Sequence, residues 1–410
     1  MTYSFQLALI AGIFVATVVI VNRGVPLPYA VNLCAALIAL TARVSLTQFI
    51  GIVGQVLIDP RTIELLVAVV LIRWLGDIMN RSGSLTRSSD LLQQVVGDLR
   101  VVASIIPLLI GLLMVPGGAI LSAPTVEQLT DDMGLRPSRQ AGVNLIFRHV
   151  GQIFFPMSAS LLMLTSIVGV NLARQALYQL PIGIAIGLFS FYYYFSAVEK
   201  QTGRGTDNTD NPERFRQFGA LLKELSPILV TIIIFAITQK IAWGLALGTI
   251  WALWLYRFSA KEAMSSFQLK ASLESMLLII GTLIIRGILQ NEVITEAAFA
   301  PMLQLSFAPL LMCFLPWIIG FFTGSVLAAV SLAAPLLLPL LIHHPNGYLF
   351  CTAIFMASFG GYLISPIHLC LSLTAEYYEA RLGEVYQDIW LPAVTFLLSA
   401  IVASLLLILC

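Results

Sequence analysis

Apolar residues in this chain come in blocks about one bilayer long, separated by short polar joints. A helix needs about 20 apolar residues to cross about 30 Å of hydrocarbon. Runs of that order lie at 3–21, 25–42, 62–79, 144–170, 178–198, 226–240, 241–256, 272–290, 348–378 and 390–410. Two further stretches, 101–130 and 302–342, are broken in the middle by Pro and Gly. Segments 44–58 and 259–271 mix polar and apolar residues and suit interfacial connectors. The pattern predicts an all-α integral membrane protein of about ten transmembrane helices plus two re-entrant helical hairpins. No basic flank precedes the first run, and it is expected to be a retained span.

Composition agrees with lipid burial: 59% of the 410 residues are hydrophobic and 10% charged, against about 25% charged in soluble domains. The formal net charge of +1, with basic residues scattered, argues against a nucleic-acid partner. Lys and Arg collect on the cytoplasmic side of membrane proteins. Here they concentrate at 80–100 (Arg81, Arg87, Arg100), 131–143 (Arg136, Arg139), 199–224 (Lys200, Arg204, Arg214, Arg216, Lys223) and 257–270. Taking these as cytoplasmic leaves Arg43, Arg61, Arg174 and Lys240 opposite, with both termini outside. The five cysteines sit in or at the ends of apolar runs without a C-x-x-C pair. They are expected to be small apolar fillers, with no metal centre among them.

The hydrophilic stretch 199–224 falls near the midpoint of the chain and is expected to be a flexible cytoplasmic linker. On either side of it, 1–198 and 225–410 show the same order of elements. An offset of about 210 residues lays Glu64 on Glu274, Gly151…Pro156 on Gly361…Pro366, and Ala123-Pro124 near Ala334-Pro335. With an odd number of spans per half, the second copy is inverted in the membrane. Inverted repeats with interrupted helices point to an alternating-access carrier. Chance recurrence of Gly and Pro in a Gly-rich chain is the competing account.

The interruptions are where chemistry is expected. The arms of hairpin 101–130 have about 15 residues each, about 22 Å, which is short for a crossing. Pro116, Gly117, Gly118 and Ser122 suit an unwound tip that exposes amides and a hydroxyl, and Thr323, Gly324 and Ser325 suit the tip of hairpin 302–342. Unwound backbone at membrane depth is tolerated only inside protein or beside water. Helix N-termini there attract anions, and freed carbonyls and hydroxyls suit a Na⁺. The broken helix 144–170 carries Arg148, His149, Gln152 and Ser158, and its counterpart 348–378 carries Gly361, Ser365, Pro366, His368 and Ser372. Ionisable groups at this depth are costly, so Arg148, His149 and His368 are candidate anion anchors or, for the histidines, proton carriers. The structural alternatives are a packing kink at each break and a histidine that merely bonds its neighbour. Arg73 and Asp77, four apart, are expected to pair structurally.

Met114-Val-Pro-Gly-Gly-Ala-Ile-Leu-Ser-Ala-Pro124 resembles the Pro-Gly-Gly-Ala…Ser-Ala-Pro signature of a bacterial and archaeal membrane family known as domain of unknown function 401. That family is grouped with the ion transporter superfamily of gluconate, citrate, dicarboxylate and arsenite carriers. Thr323-Gly-Ser-Val-Leu-Ala-Ala-Val and Ser365-Pro-Ile-His368 are similar to the gluconate-carrier pattern. The resemblance implies an elevator-type carrier, with a dimerising scaffold domain and a transport domain holding both hairpins and both broken helices. The Ser-Asn-Thr tips of dicarboxylate carriers and the His-Val-Asn-Asp of gluconate-type carriers are absent, so no substrate carries over.

The function expected is a secondary transporter of a small anionic, carboxylate-like solute in the cytoplasmic membrane, coupled to Na⁺ or H⁺ and needing no other cofactor. Its partners would be the solute, lipid and a second copy of the chain. A cation/proton antiporter on the same fold is the alternative, with Asp77 and Glu376 as its carboxylates. No H-E-x-x-H or G-x-S-x-G motif supports an intramembrane enzyme.

Overall fold

The computed structural model describes residues 3–113, 118–200, 211–289, 308–342 and 346–409. Those residues form 19 α-helices and no strands. The first half holds α1 (Tyr3–Asn22), α2 (Leu27–Thr41), α3 (Leu46–Ile58), α4 (Pro60–Arg81), α5 (Ser84–Val95), α6 (Leu99–Leu112), α7 (Gly118–Asp131), α8 (Pro137–Val150), α9 (Ala159–Val168) and α10 (Leu172–Phe195). The second holds α11 (Asn211–Thr238), α12 (Ile241–Leu255), α13 (Ala260–Ser266), α14 (Leu269–Leu289), α15 (Ala308–Thr323), α16 (Val326–Leu337), α17 (Gly347–Leu363), α18 (Leu369–Tyr377) and α19 (Leu382–Leu409). Four of them, α10, α11, α14 and α19, include stretches long and apolar enough to cross a membrane.

Local chemistry explains the joints. The connectors α3 and α13 each open on a serine capping box, Ser45 with Gln48 and Ser259 with Glu262. Asp98 caps α6 and Asn171 caps α10. The two long apolar runs break before Pro156 and Pro366, whose rings remove a donor and block continuation of the helix. A short 3₁₀ turn, Gly151–Ile153, ends α8, and α9 and α18 restart at Ala159 and Leu369. Internal prolines recur with the same spacing: Pro107 in α6 and Pro316 in α15, Pro124 in α7 and Pro335 in α16, Pro181 in α10 and Pro392 in α19.

Packing places α8, α16 and α17 at the centre, where nearly every described side chain is buried. Helix α6 lies on α7 and α8, and α15 lies on α16 and α17. Contacts also cross between the halves: α2 on α14 and α4 on α12, α7 on α18 and α9 on α16. The close crossings need missing side chains. A Cβ on Gly320 would stand 2.5 Å from the Ser358 carbonyl oxygen, and one on Gly111 2.9 Å from the Arg148 carbonyl carbon.

Three expectations are corrected here. Segment 199–224 is not a linker throughout, because helix α11 already begins at Asn211, with Pro212 in its first turn and Glu213 at its positive end. Its polar start docks on α5: Arg87 grips Glu224 through two bonds of 3.0 and 2.9 Å, and Arg214 donates to the Val95 carbonyl at 2.8 Å. Nor do Arg73 and Asp77 pair. Asp77 meets Arg81 at 2.6 Å and accepts from Gln268 at 3.0 Å, while Arg73 interacts with Glu274 on α14. The broken helix expected from 144 begins earlier, at Pro137, whose fixed φ suits a first helical position.

Candidate functional site

The breaks in the two long helices bring Arg148, His149 and His368 together. Arg148 and His149 end α8, are 3% and 1% exposed, and point into the protein centre. His368 precedes α18 at the other break and is fully buried. The two imidazole rings, from opposite halves of the chain, lie 5.1 Å apart between centroids. Arg148 is within electrostatic reach of both rings.

Tyr362 completes the cluster from the last turn of α17. Its ring lies 3.7 Å from that of His368, and its hydroxyl meets His149 Nε2 at 3.2 Å. His149 Nδ1 lies 2.7 Å from the Leu145 carbonyl one turn back, which fixes Nδ1 as the protonated nitrogen and turns the Nε2 lone pair toward the cluster. Neither ring nitrogen of His368 makes a well-formed hydrogen bond, and the Leu363 backbone is the polar group that interacts with the ring from its own turn. The Cys370 thiol, partly buried, faces the Tyr362 hydroxyl. His149, His368 and Cys370 each present a ligand atom within 4.8 Å of the other two.

The first hairpin meets this cluster through Arg148. A Cβ on Gly118 would stand 2.7 Å from Arg148 Nη1, so only glycine lets the guanidinium lie against the start of α7. Below it, the Ser122 hydroxyl donates to Asn144 Oδ1 at 2.6 Å, and Asn144 Nδ2 donates to the Ala119 carbonyl at 2.9 Å. Pro116 and Gly117 lie outside the described residues. The second hairpin meets the other break. Gly324 has a φ of +57° and touches Ile367, and the Ser365 hydroxyl donates to the Phe321 carbonyl at 2.5 Å.

Other expected residues serve local structure. Thr323 bonds the Ile319 carbonyl at 2.6 Å, Ser325 caps α16, and Gly361 gives room to the Trp317–Phe321 backbone. Gln152 donates to the Gly111 carbonyl at 3.2 Å, tying the first break to α6. Ser158 is buried at the start of α9, and Ser372 donates to the His368 carbonyl at 3.3 Å. Glu376, a carboxylate expected for an antiporter, is exposed, and Glu127 on α7 accepts from Tyr377 at 2.8 Å. A separate cavity of about 330 Å³ lies between α4, α9 and α11, lined by Arg61, Glu64, Thr165 and Gln239 among others.

Tyr362, Asn144 as a partner of Ser122, and Cys370 were not among the expected site residues. Tyr362 occupies the position of Gln152 at the repeat offset, and Cys370 follows His368 by two residues; both signals are in the sequence.

Fold and site together define a class: an all-helical, membrane-like protein in which two interrupted helices meet at a buried cluster of one guanidinium and two imidazoles. Within that class, a family model described as "Protein of unknown function (DUF401)" matches residues 4–408, and the chain belongs to that family. No curated protein matches the chain.

Proposed function

We propose that this protein is a secondary active transporter and not an enzyme, moving a small anionic, carboxylate-like solute across the cytoplasmic membrane with Na⁺ or H⁺ as the coupling ion. The observation that carries this reading is the gathering of Arg148, His149 and His368, buried, where both helix breaks meet. The Arg148 guanidinium and the unbonded His368 ring beside the starts of α7 and α18 suit a negative charge, because helix N-termini add about half a positive charge each. Unwound backbone at that depth is the arrangement carriers use at their binding sites.

In this reading the halves are inverted repeats in an elevator-type carrier of the ion transporter superfamily. The recurring proline positions, the matched turns before α9 and α18, and the reciprocal contacts of α2 with α14 and α4 with α12 support it. The hairpins and broken helices would form the moving domain. The outer helices would form a dimerising scaffold, with about ten crossings and both termini outside.

The test is a thermal-shift screen of purified protein against small carboxylates and inorganic anions, with and without Na⁺, followed by uptake into proteoliposomes. Stabilisation by an anion that is lost in Arg148→Gln, together with loss of uptake, is the expected result. Stabilisation by Na⁺ or Li⁺ alone, with every anion inert, would replace the anion carrier by a cation/proton antiporter.

A further inference from the structure

We infer that His149, His368 and Cys370 form a binding site for a borderline or soft transition-metal ion, with Zn²⁺ as the type case. The inference goes beyond the transport reading and is tested without any solute.

Three observations carry it. The ligand atoms of the three side chains already lie within 4.8 Å of one another. A tetrahedral Zn²⁺ with bonds of about 2.1 Å to nitrogen and 2.3 Å to sulfur places them about 3.6 Å apart, so small side-chain rotations close the site. Secondly, His368 is fully buried and neither of its ring nitrogens makes a well-formed hydrogen bond, although the ring sits among polar groups. Burying such a group costs free energy unless something binds it. Thirdly, the contact of His149 Nδ1 with the Leu145 carbonyl, 2.7 Å, is how proteins orient a metal-binding imidazole, and it turns the Nε2 lone pair to the cluster, where a metal would displace the Tyr362 hydroxyl that now meets it at 3.2 Å.

Two imidazoles and a thiolate select zinc and copper(I) over magnesium or calcium, which want oxygen. Binding would release the Cys370 thiol proton to solvent, and the thiolate would partly offset the added charge beside Arg148. Cys370 is only partly buried, which gives the ion its entry. Three protein ligands leave a fourth position for water or an oxygen of a solute.

The experiment uses the purified full-length protein and Co²⁺ as a spectroscopic probe, with Zn²⁺ as competitor. The expected result is a thiolate-to-cobalt charge-transfer band that Zn²⁺ abolishes. Cys370→Ser should remove the band, and His149→Gln and His368→Gln should each weaken Zn²⁺ binding at least tenfold. Cys370→Ala, at a partly exposed position, provides a second thiol deletion, and unchanged thermal stability of either cysteine variant qualifies it as folded. A band that survives both cysteine variants, the absence of any band in the wild type, or equal Zn²⁺ affinity in wild type and all variants overturns the inference. An anion-independent transport failure would leave these outcomes unchanged, so the two readings fail separately.

Discussion

Replacing Gly320 by alanine probes the closest helix crossing behind the site. The new Cβ would stand 2.5 Å from the Ser358 carbonyl oxygen and 3.2 Å from the Tyr362 amide nitrogen. A comfortable carbon–oxygen contact is about 3.3 Å, so α15 and α17 must part by about 0.8 Å. Both neighbours are backbone atoms in a helix, and neither can rotate away. Overpacking of this kind costs about 1–3 kcal/mol, less the few tenths to 1 kcal/mol that alanine gains over glycine inside a helix. The shift also moves Tyr362, whose hydroxyl holds His149. The assay is a thermal-unfolding series in one detergent. Gly320→Ala and Gly111→Ala should both fall below wild type. Gly51→Ala, with nothing within 4 Å of its Cβ position, should match or exceed it. If Gly51→Ala proves as damaging as Gly320→Ala, the crossing is not held by the missing side chain and the argument is wrong.

Further outcomes follow from the ion pairs. The Arg100 guanidinium, hydrogen-bonded at 2.9 Å, holds the Asp98 carboxyl below its ordinary range. A depressed carboxyl stabilises above its unfolded value of about 3.9 and loses that contribution as pH falls through the folded value, so Asp98→Asn should flatten the acid limb of a stability–pH profile while keeping the helix cap. Arg136 meets Asp388, whose side chain is 3% exposed, at 2.8 Å. Arg136→Ala should cost at least about 1–3 kcal/mol by stranding that carboxylate, and adding Asp388→Asn should recover part of the loss in a double-mutant cycle. The Arg87–Glu224 pair is half open to solvent on the arginine side. Arg87→Ala should therefore cost no more than about 1 kcal/mol, shrinking as salt rises, by the same unfolding measurement.

Where the sequence spoke through Pro, helix ends fall close by. Two packed helices, α6 and α7, cover most of the stretch 101–130, and a break near Pro366 separates α17 from α18. Proline blocks a helix by covalent geometry, so its effect needs no tertiary context. The polar run 211–224 misled because helix formation there depends on α5: a Glu- and Arg-rich stretch looks solvated until Arg87 and Val95 are found beside it. The site was half legible. Arg148, His149 and His368 stood out because charge is rare in an apolar run, yet nothing local says that rings 219 positions apart lie side by side. Cys370 passed for filler, since a thiol is apolar until nitrogen ligands surround it.

The reciprocal docking of α7 on α18 and α9 on α16 also bears on how the chain is made. Helices α9 and α18 have 10 and 9 residues, about half of what a membrane-inserting segment needs. Neither can be held in lipid by its own hydrophobicity, and each finds its cover on a hairpin from the other half. The first half, emerging alone from the ribosome, therefore has an unfinished interior that a nascent chain must keep shielded until α16 has been synthesised. Separately expressed halves should therefore reach a folded state only when present together.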